Sequence, residues 1–186
     1  MKSLNTYINE GLSDWSDDKL DKKISKQTTI AAIKQEIIEW IKNNTFGRKY
    51  EIKFKFDFNT TPITVNYDDD IDFKIDITSL TNGLFQWGKV SGCFSCANCV
   101  SLKSLDGAPK DVGISFYCHG CSSLETLEGA PKKVGEYFNC ENCKSLTSLK
   151  GAPKEVGWEF CCAECGTKFT EKDVKKVCKV RGRINC

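Results

Sequence analysis

Twelve cysteines and a single histidine, His119, are the residues of this 186-residue chain whose types and spacing could do chemistry. Eight of the cysteines form four C-x2-C pairs: Cys96 with Cys99, Cys118 with Cys121, Cys140 with Cys143, and Cys162 with Cys165. Two successive pairs read C-x2-C-x18-C-x2-C, a spacing that lets four thiolates surround a tetrahedral zinc ion, and the other two pairs would make a second site. The N-terminal stretch MKSLNTYINEGLSDW has no continuous apolar core of a signal peptide, so the expected compartment is a reducing cytosol. There, free thiols or metal ligands are better readings than a disulfide scaffold. One histidine counts against mixed Cys/His metal sites and against most His-based acid–base catalysis. Cys118 and Cys121 flank His119, which raises the question of a Cys–His nucleophile, and the placement of those three residues decides it.

That placement follows from an internal repeat. GAPK occurs at Gly107–Lys110, Gly129–Lys132 and Gly151–Lys154, each copy 22 residues after the last. Val112, Val134 and Val156 keep the same step, as do Phe94, Phe116, Phe138 and Phe160, and the leucines at 102, 124, 146 and at 105, 127, 149. A unit this short cannot bury its own apolar face, so the units must stack into a solenoid in which each turn covers the next. In that register Cys118 points inward and His119 starts the following corner, which places them poorly for joint catalysis. The chain also lacks a G-x-S-x-G elbow, a Walker loop, an H-E-x-x-H helix and a dinucleotide fingerprint. A non-enzyme is therefore expected.

The repeat resembles the leucine-rich repeat family in its short bacterial and phage versions. The likeness is carried by Val112, Phe116, Cys118, Cys121, Leu124 and Leu127, followed by Ala130 and Pro131 on the return side. Cys stands here where the family has Leu at an inward strand position, and again where Asn is commoner. One reading of the eight cysteines is thus a pair of inward columns, the first acting as a small hydrophobe and the second capping backbone groups at the corner. It accounts for all four pairs at once, whereas only Cys165 precedes the Gly usual in zinc knuckles. No cofactor is expected on this reading; zinc on Cys96, Cys99, Cys118, Cys121, Cys140, Cys143, Cys162 and Cys165 is the alternative. Turns about 4.8 Å apart would also permit disulfides on oxidation.

Around the repeat, Ile30, Ile33, Ile37, Trp40 and Ile41 form one stripe at helical spacing and predict an amphipathic helix over 29–43. Three alternating runs follow: Tyr50 to Phe58, Ile63 to Tyr67 and Ile71 to Ile77. With short connections between them, they predict a three-stranded antiparallel meander that, with the helix, caps the first turn. The acidic group Asp68, Asp69, Asp70 and Asp72 reads as a solvated hairpin turn, since a calcium loop needs Gly where Phe73 or Ile75 stands. Thr170 with Asp173 reads as a capping-box variant opening a helix to about Val177 that closes the last turn. The expected fold is α+β, divided as leader 1–28, helix-and-sheet cap 29–87, repeats 88–165 and basic C-terminal cap 166–186.

With 28% charged and 40% hydrophobic residues the chain is neither disordered nor fibrous, no run approaches a membrane span, and a net charge of +2 excludes a polycation. Basic residues cluster only at the end, where Lys168, Lys172, Lys175, Lys176, Lys179, Arg181 and Arg183 offer a nucleic-acid contact. Outward positions vary from turn to turn, and two are tyrosines, which favour interfaces. They form the candidate partner face: Ser115, Tyr117, His119, Tyr137, Asn139, Glu141 and Glu159. MKSLNTYINEG resembles the head-targeting peptide of tailed-phage internal head proteins, with Ile8, Asn9, Glu10 and Gly11 at the positions where a prohead protease cuts after Glu. The two resemblances imply a phage protein that binds and inhibits a bacterial host protein or complex, such as a CRISPR-type defence effector, in the host cytosol. The alternatives are an internal virion protein packaged through its leader, and a zinc-bearing nucleic-acid-binding protein.

Overall fold

The computed structural model describes residues 19–46, 54–75 and 77–186, with side chains from residue 29 onward in the first segment. The leader residues Ile8 to Gly11, and Tyr50 and Ile52 of the first predicted strand, lie outside the described residues.

Each turn of the repeat supplies two short strands, which stack into two parallel ladders. One sheet runs β1 (Phe54–Asp57), β2 (Ile63–Tyr67), β4 (Phe85–Val90), β6 (Asp111–Val112), β8 (Lys133–Val134), β10 (Glu155–Val156) and β12 (Lys179–Val180). The other runs β3 (Ile71–Asp72), β5 (Phe94–Ser95), β7 (Phe116–Tyr117), β9 (Tyr137–Asn139), β11 (Glu159–Cys161) and β13 (Arg183–Asn185). The result is an α+β solenoid of about six turns. Its core is the repeat's own apolar set: Phe94, Phe116, Phe138 and Phe160 are fully buried, as are Val156, Leu124, Leu127 and Leu146. The rings of Phe94 and Phe116 stack 5.5 Å apart at 6°, and those of Phe116 and Phe138 5.6 Å apart at 8°. A 22-residue period places identical rings at one height per turn, so the ring spacing is set by the ladder spacing plus the tilt of the stack.

The expected meander is corrected. Of the three predicted strands, β1 and β2 do pair antiparallel, but β2 pairs in parallel with β4, and β3 with β5. Residues 63–75 are therefore the first turn of the solenoid. Alternation identifies which face of a strand is buried and says nothing about its partner, so the same pattern fits a meander and a parallel turn. The acidic group Asp68 to Asp72 correspondingly sits at the corner between β2 and β3. There Asp70 Oδ1 accepts the N–H of Cys93 at 2.7 Å, and Asp68 takes Lys55 and the Ser91 hydroxyl.

A cap does cover the first turn. Helix α1 (Lys19–Asn44) extends ten residues further toward the N-terminus than the stripe predicts. It buries Ile37, Ile38 and Ile41, and sets the Trp40 ring 6.2 Å from Phe73 and 5.6 Å from Phe85. Beyond its end, Thr45 bridges Phe73 antiparallel, and Phe46 N–H donates to Asp72 O at 2.8 Å. This closes the edge of the second sheet while β1 closes the edge of the first.

At the other end, α2 (Glu171–Val177) has the expected capping box, with Thr170 and Asp173 exchanging side-chain and backbone hydrogen bonds. It does not close the last turn. The chain continues into β12 and β13, which pair in parallel with β10 and β11 and add a further turn.

Candidate functional site

The two thiol columns form as the repeat register requires. Cys96, Cys118 and Cys140 are fully buried among the stacked rings. In the second column, Cys121 Sγ donates to Cys96 O at 3.1 Å, Cys143 Sγ to Cys118 O at 3.1 Å and Cys165 Sγ to Cys140 O at 3.2 Å. Each thiol thus satisfies a carbonyl of the preceding turn at the corner, where the strand has ended and no ladder partner remains. Burial pushes the Cys118 thiol well above its ordinary range, and Cys143 up to about 12. Cys96 is held up by its hydrogen bond with Cys121 and then by burial. A four-thiolate zinc site needs both sulfurs of each pair aimed at one point. Here Cys140 and Cys143 donate to Cys161 O and Cys118 O, Cys162 and Cys165 turn to Cys186 and Cys140 O, and no group of three or more metal-binding side chains is gathered among the described residues.

Cys118 and His119 fall on opposite sides of the strand, with Cys118 fully buried and His119 half-buried facing outward. The Tyr117 ring stands edge-on to His119, 6.2 Å between centroids at 82°.

The remaining outward residues share that face of the second sheet. Tyr137, Asn139, Glu141 and Glu159 are half-buried. Asn139 Nδ2 donates to Glu141 Oε2 at 3.2 Å and Asn185 Nδ2 to Glu141 Oε1 at 3.0 Å, while Arg183 donates to Glu159 Oε2 at 2.8 Å. Ser115 differs from its neighbours. Its side chain is 1% exposed and its Oγ accepts the N–H of Tyr137 at 3.3 Å, so it braces the next strand instead of presenting a surface. A short polar side chain beside an unpaired N–H turns back onto the backbone.

Two features of the surface are absent from the sequence reading. The first is a corner column beside the outward face: Ile114 (40% exposed), Glu136 and Trp158 (51% exposed), linked by the bonds Glu136 N–H to Ile114 O at 2.7 Å and Trp158 N–H to Glu136 O at 2.9 Å. Its only signal is the 22-residue spacing, because the residue types differ completely. The second is a charge ladder on the first sheet, where Lys89, Asp111, Lys133, Glu155 and Lys179 stand in direct register on consecutive strands. The first four border an open groove of about 490 Å³ that also touches Gly113, Gly135, Gly157 and Arg181.

The basic residues are brought into structure and partly neutralised. Lys172, Lys175 and Lys176 lie on α2, where Lys175 pairs with Glu171 and Lys176 with Asp173 at 2.9 Å. Lys179 lies on β12; Arg181 pairs with Glu155, and Arg183 with Glu159 at 2.8 Å. Two of these carboxylates belong to the preceding turn, so a tally along the tail alone overstates its free positive charge.

Among the described residues no helix is long and apolar enough to cross a membrane. No protein-family model matches the chain, and no curated protein or solved structure matches it.

Proposed function

We propose that this chain is a non-enzymatic protein-binding module of the leucine-rich repeat kind, and that its recognition face is the outward side of the second sheet with the adjoining corner. The observation that carries the reading is the contrast between the two sides of one strand set. Inward positions repeat the same residue turn after turn, while the outward positions carry Tyr117, His119, Tyr137, Asn139, Glu141 and Glu159, flanked by the exposed Ile114 and Trp158. Exposed aromatic and aliphatic side chains ringed by polar groups are the composition of a binding surface. Cys118 buried away from His119 supports a non-enzyme, and thiols committed to core and backbone support a fold that needs no cofactor. The likeness of the first eleven residues to a phage head-targeting peptide, together with the GAPK repeats, supports a phage protein acting on a bacterial host protein in the host cytosol.

The test is capture from a bacterial host lysate followed by affinity measurement on the purified partner. Tyr117→Ala with Tyr137→Ala should weaken binding by roughly 1–4 kcal/mol, as loss of aromatic anchors does. The pair should leave thermal stability nearly unchanged. The matched control, Phe116→Ala, truncates a fully buried ring and should cost roughly 3–5 kcal/mol of stability. Unchanged binding by a stable tyrosine double variant would move the functional surface elsewhere.

A further inference from the structure

Where the first thiol column reaches Cys162, it meets a thiol that belongs to none of the four C-x2-C pairs, Cys186. Cys161 is in register with Asn185 on adjacent parallel strands, so the next residues, Cys162 and Cys186, face each other across the last two turns. Their sulfurs lie 3.4 Å apart. Cys162 is 2% exposed, while Cys186 is open to solvent. In the inner turns the column thiols are buried and the second column is committed to carbonyls; here one sulfur is accessible and its neighbour is within reach. We infer that Cys162 and Cys186 are a reversible disulfide site that staples the last turn to the one before it.

The geometry needs little change. Adjacent strands of a ladder lie about 4.8 Å apart, which falls within the roughly 4.4–6.8 Å between α-carbons that a disulfide spans. A modest side-chain rotation brings the sulfurs to bonding distance. The oxidant is a low-molecular-weight disulfide. The exposed Cys186 thiolate attacks one of its sulfurs, forming a mixed disulfide and expelling one thiolate. Cys162, having lost its proton to solvent, then attacks the Cys186 sulfur, closes the protein disulfide and expels the second thiolate. Two protein thiols and one small disulfide become one protein disulfide and two small thiols, a two-electron exchange. Burial holds the Cys162 thiol above its ordinary range, with the adjacent Cys186 adding to this, so Cys186 makes the first attack and Cys162 the second. The staple would tie β13 to β11, with which it pairs in parallel through Glu159–Arg183, Phe160–Ile184 and Cys161–Asn185.

The full chain, purified reduced, should be incubated with oxidised glutathione, quenched by alkylation and mapped by mass spectrometry. The expected first product is a Cys162–Cys186 cross-linked peptide with the loss of two hydrogens. Cys186→Ser and Cys186→Ala should both abolish it, and Cys178→Ser should leave it. Trypsin cleavage after Lys179 and Arg181, read on reduced peptides, should slow about tenfold in the oxidised protein through suppressed local opening. Dithiothreitol should restore the original rate. The proposal is overturned if another pair cross-links first, if Cys186 accumulates as a stable glutathione adduct, or if oxidation leaves cleavage unchanged.

Discussion

Gly113, Gly135 and Gly157 follow the three repeated valines, at the corner where the chain passes from the first sheet to the second. Their N–H groups donate to Val90, Val112 and Val134 of the preceding turn at 2.8, 3.0 and 3.0 Å. A Cβ on Gly135 would lie 1.9 Å from the carbonyl oxygen of Gly113, and that obstacle is backbone with no rotamer to yield. Gly135→Ala must therefore spread two turns and should exceed the roughly 1–3 kcal/mol of ordinary core overpacking, read as a fall in urea midpoint. The thiols make a second residue-level prediction. Burial first, then Cys143, raises Cys118 well above its ordinary range; burial first, then the Cys165 thiol, does the same for Cys140, and Cys143 stands at about 12. Because the folded value lies above the unfolded one near 8.5, the stabilisation is complete below about pH 8.5 and is lost as pH rises toward the folded value. Each thiol ionised only in the unfolded chain costs about 1.4 kcal/mol per pH unit. In reducing buffer the urea midpoint should fall steadily from pH 9 to 10, and Cys140→Ala should flatten that fall. Thiolates holding a metal would give the reverse trend, with losses on the acid side.

Helix α2 is too short to persist by propensity, so its ends and its packing hold it. Thr170 Oγ1 lies 2.6 Å from Asp173 Oδ2 and accepts the Asp173 N–H at 3.3 Å, while Lys176 donates to Asp173 Oδ1 at 2.9 Å. The Thr170 hydroxyl, then Lys176, lower the Asp173 carboxyl from 3.8 to about 2. A depressed carboxylate contributes stability that is present above its unfolded value and lost as pH falls through its folded one. The protection of the α2 amides against hydrogen exchange, relative to the intrinsic rate at each pH, should therefore fall between about pH 4 and 2, and Asp173→Asn should remove that dependence. This helix was legible because a capping box is a local signal. The outermost turns were less so. The inner turns repeat at 22 residues, but Ile71 pairs with Phe94 after 23 and Phe160 with Ile184 after 24, once α2 is accommodated. One inserted residue removes a turn from any fixed-period comparison: Ile63 and Val65 still meet Phe85 and Trp87 after 22 residues, but the register then shifts and Tyr67 meets Val90 after 23. The outward face was legible in its columns, whereas the inward turn of Ser115 and the exposed corner of Ile114 and Trp158 depend on local backbone geometry that spacing does not encode.

Across the whole molecule the apolar repeat and the charge repeat have different lengths. Inward residues recur every turn, but the first sheet alternates in sign along Lys89, Asp111, Lys133, Glu155 and Lys179, so its charge pattern recurs every second turn. Opposite charges facing each other across strands contribute about 0.2–1 kcal/mol and like charges oppose pairing by a similar amount. Deleting residues 107–128 removes β6 and β7 and keeps every inward column in register, so the product should still unfold cooperatively. It also sets Lys89 against Lys133. Lys89→Glu should therefore act with opposite sign in the two backgrounds. In the full chain it puts a second carboxylate against Asp111 and should lower the urea midpoint; in the deletion variant it restores strict alternation and should raise the midpoint relative to the same variant with Lys89. Any contribution of Lys89 to its other neighbours, such as Asp68, is common to both backgrounds and cancels in the difference. Equal effects in the two backgrounds would show that the ladder is a surface pattern without weight in the stacking, and that turn order is set by the apolar columns alone.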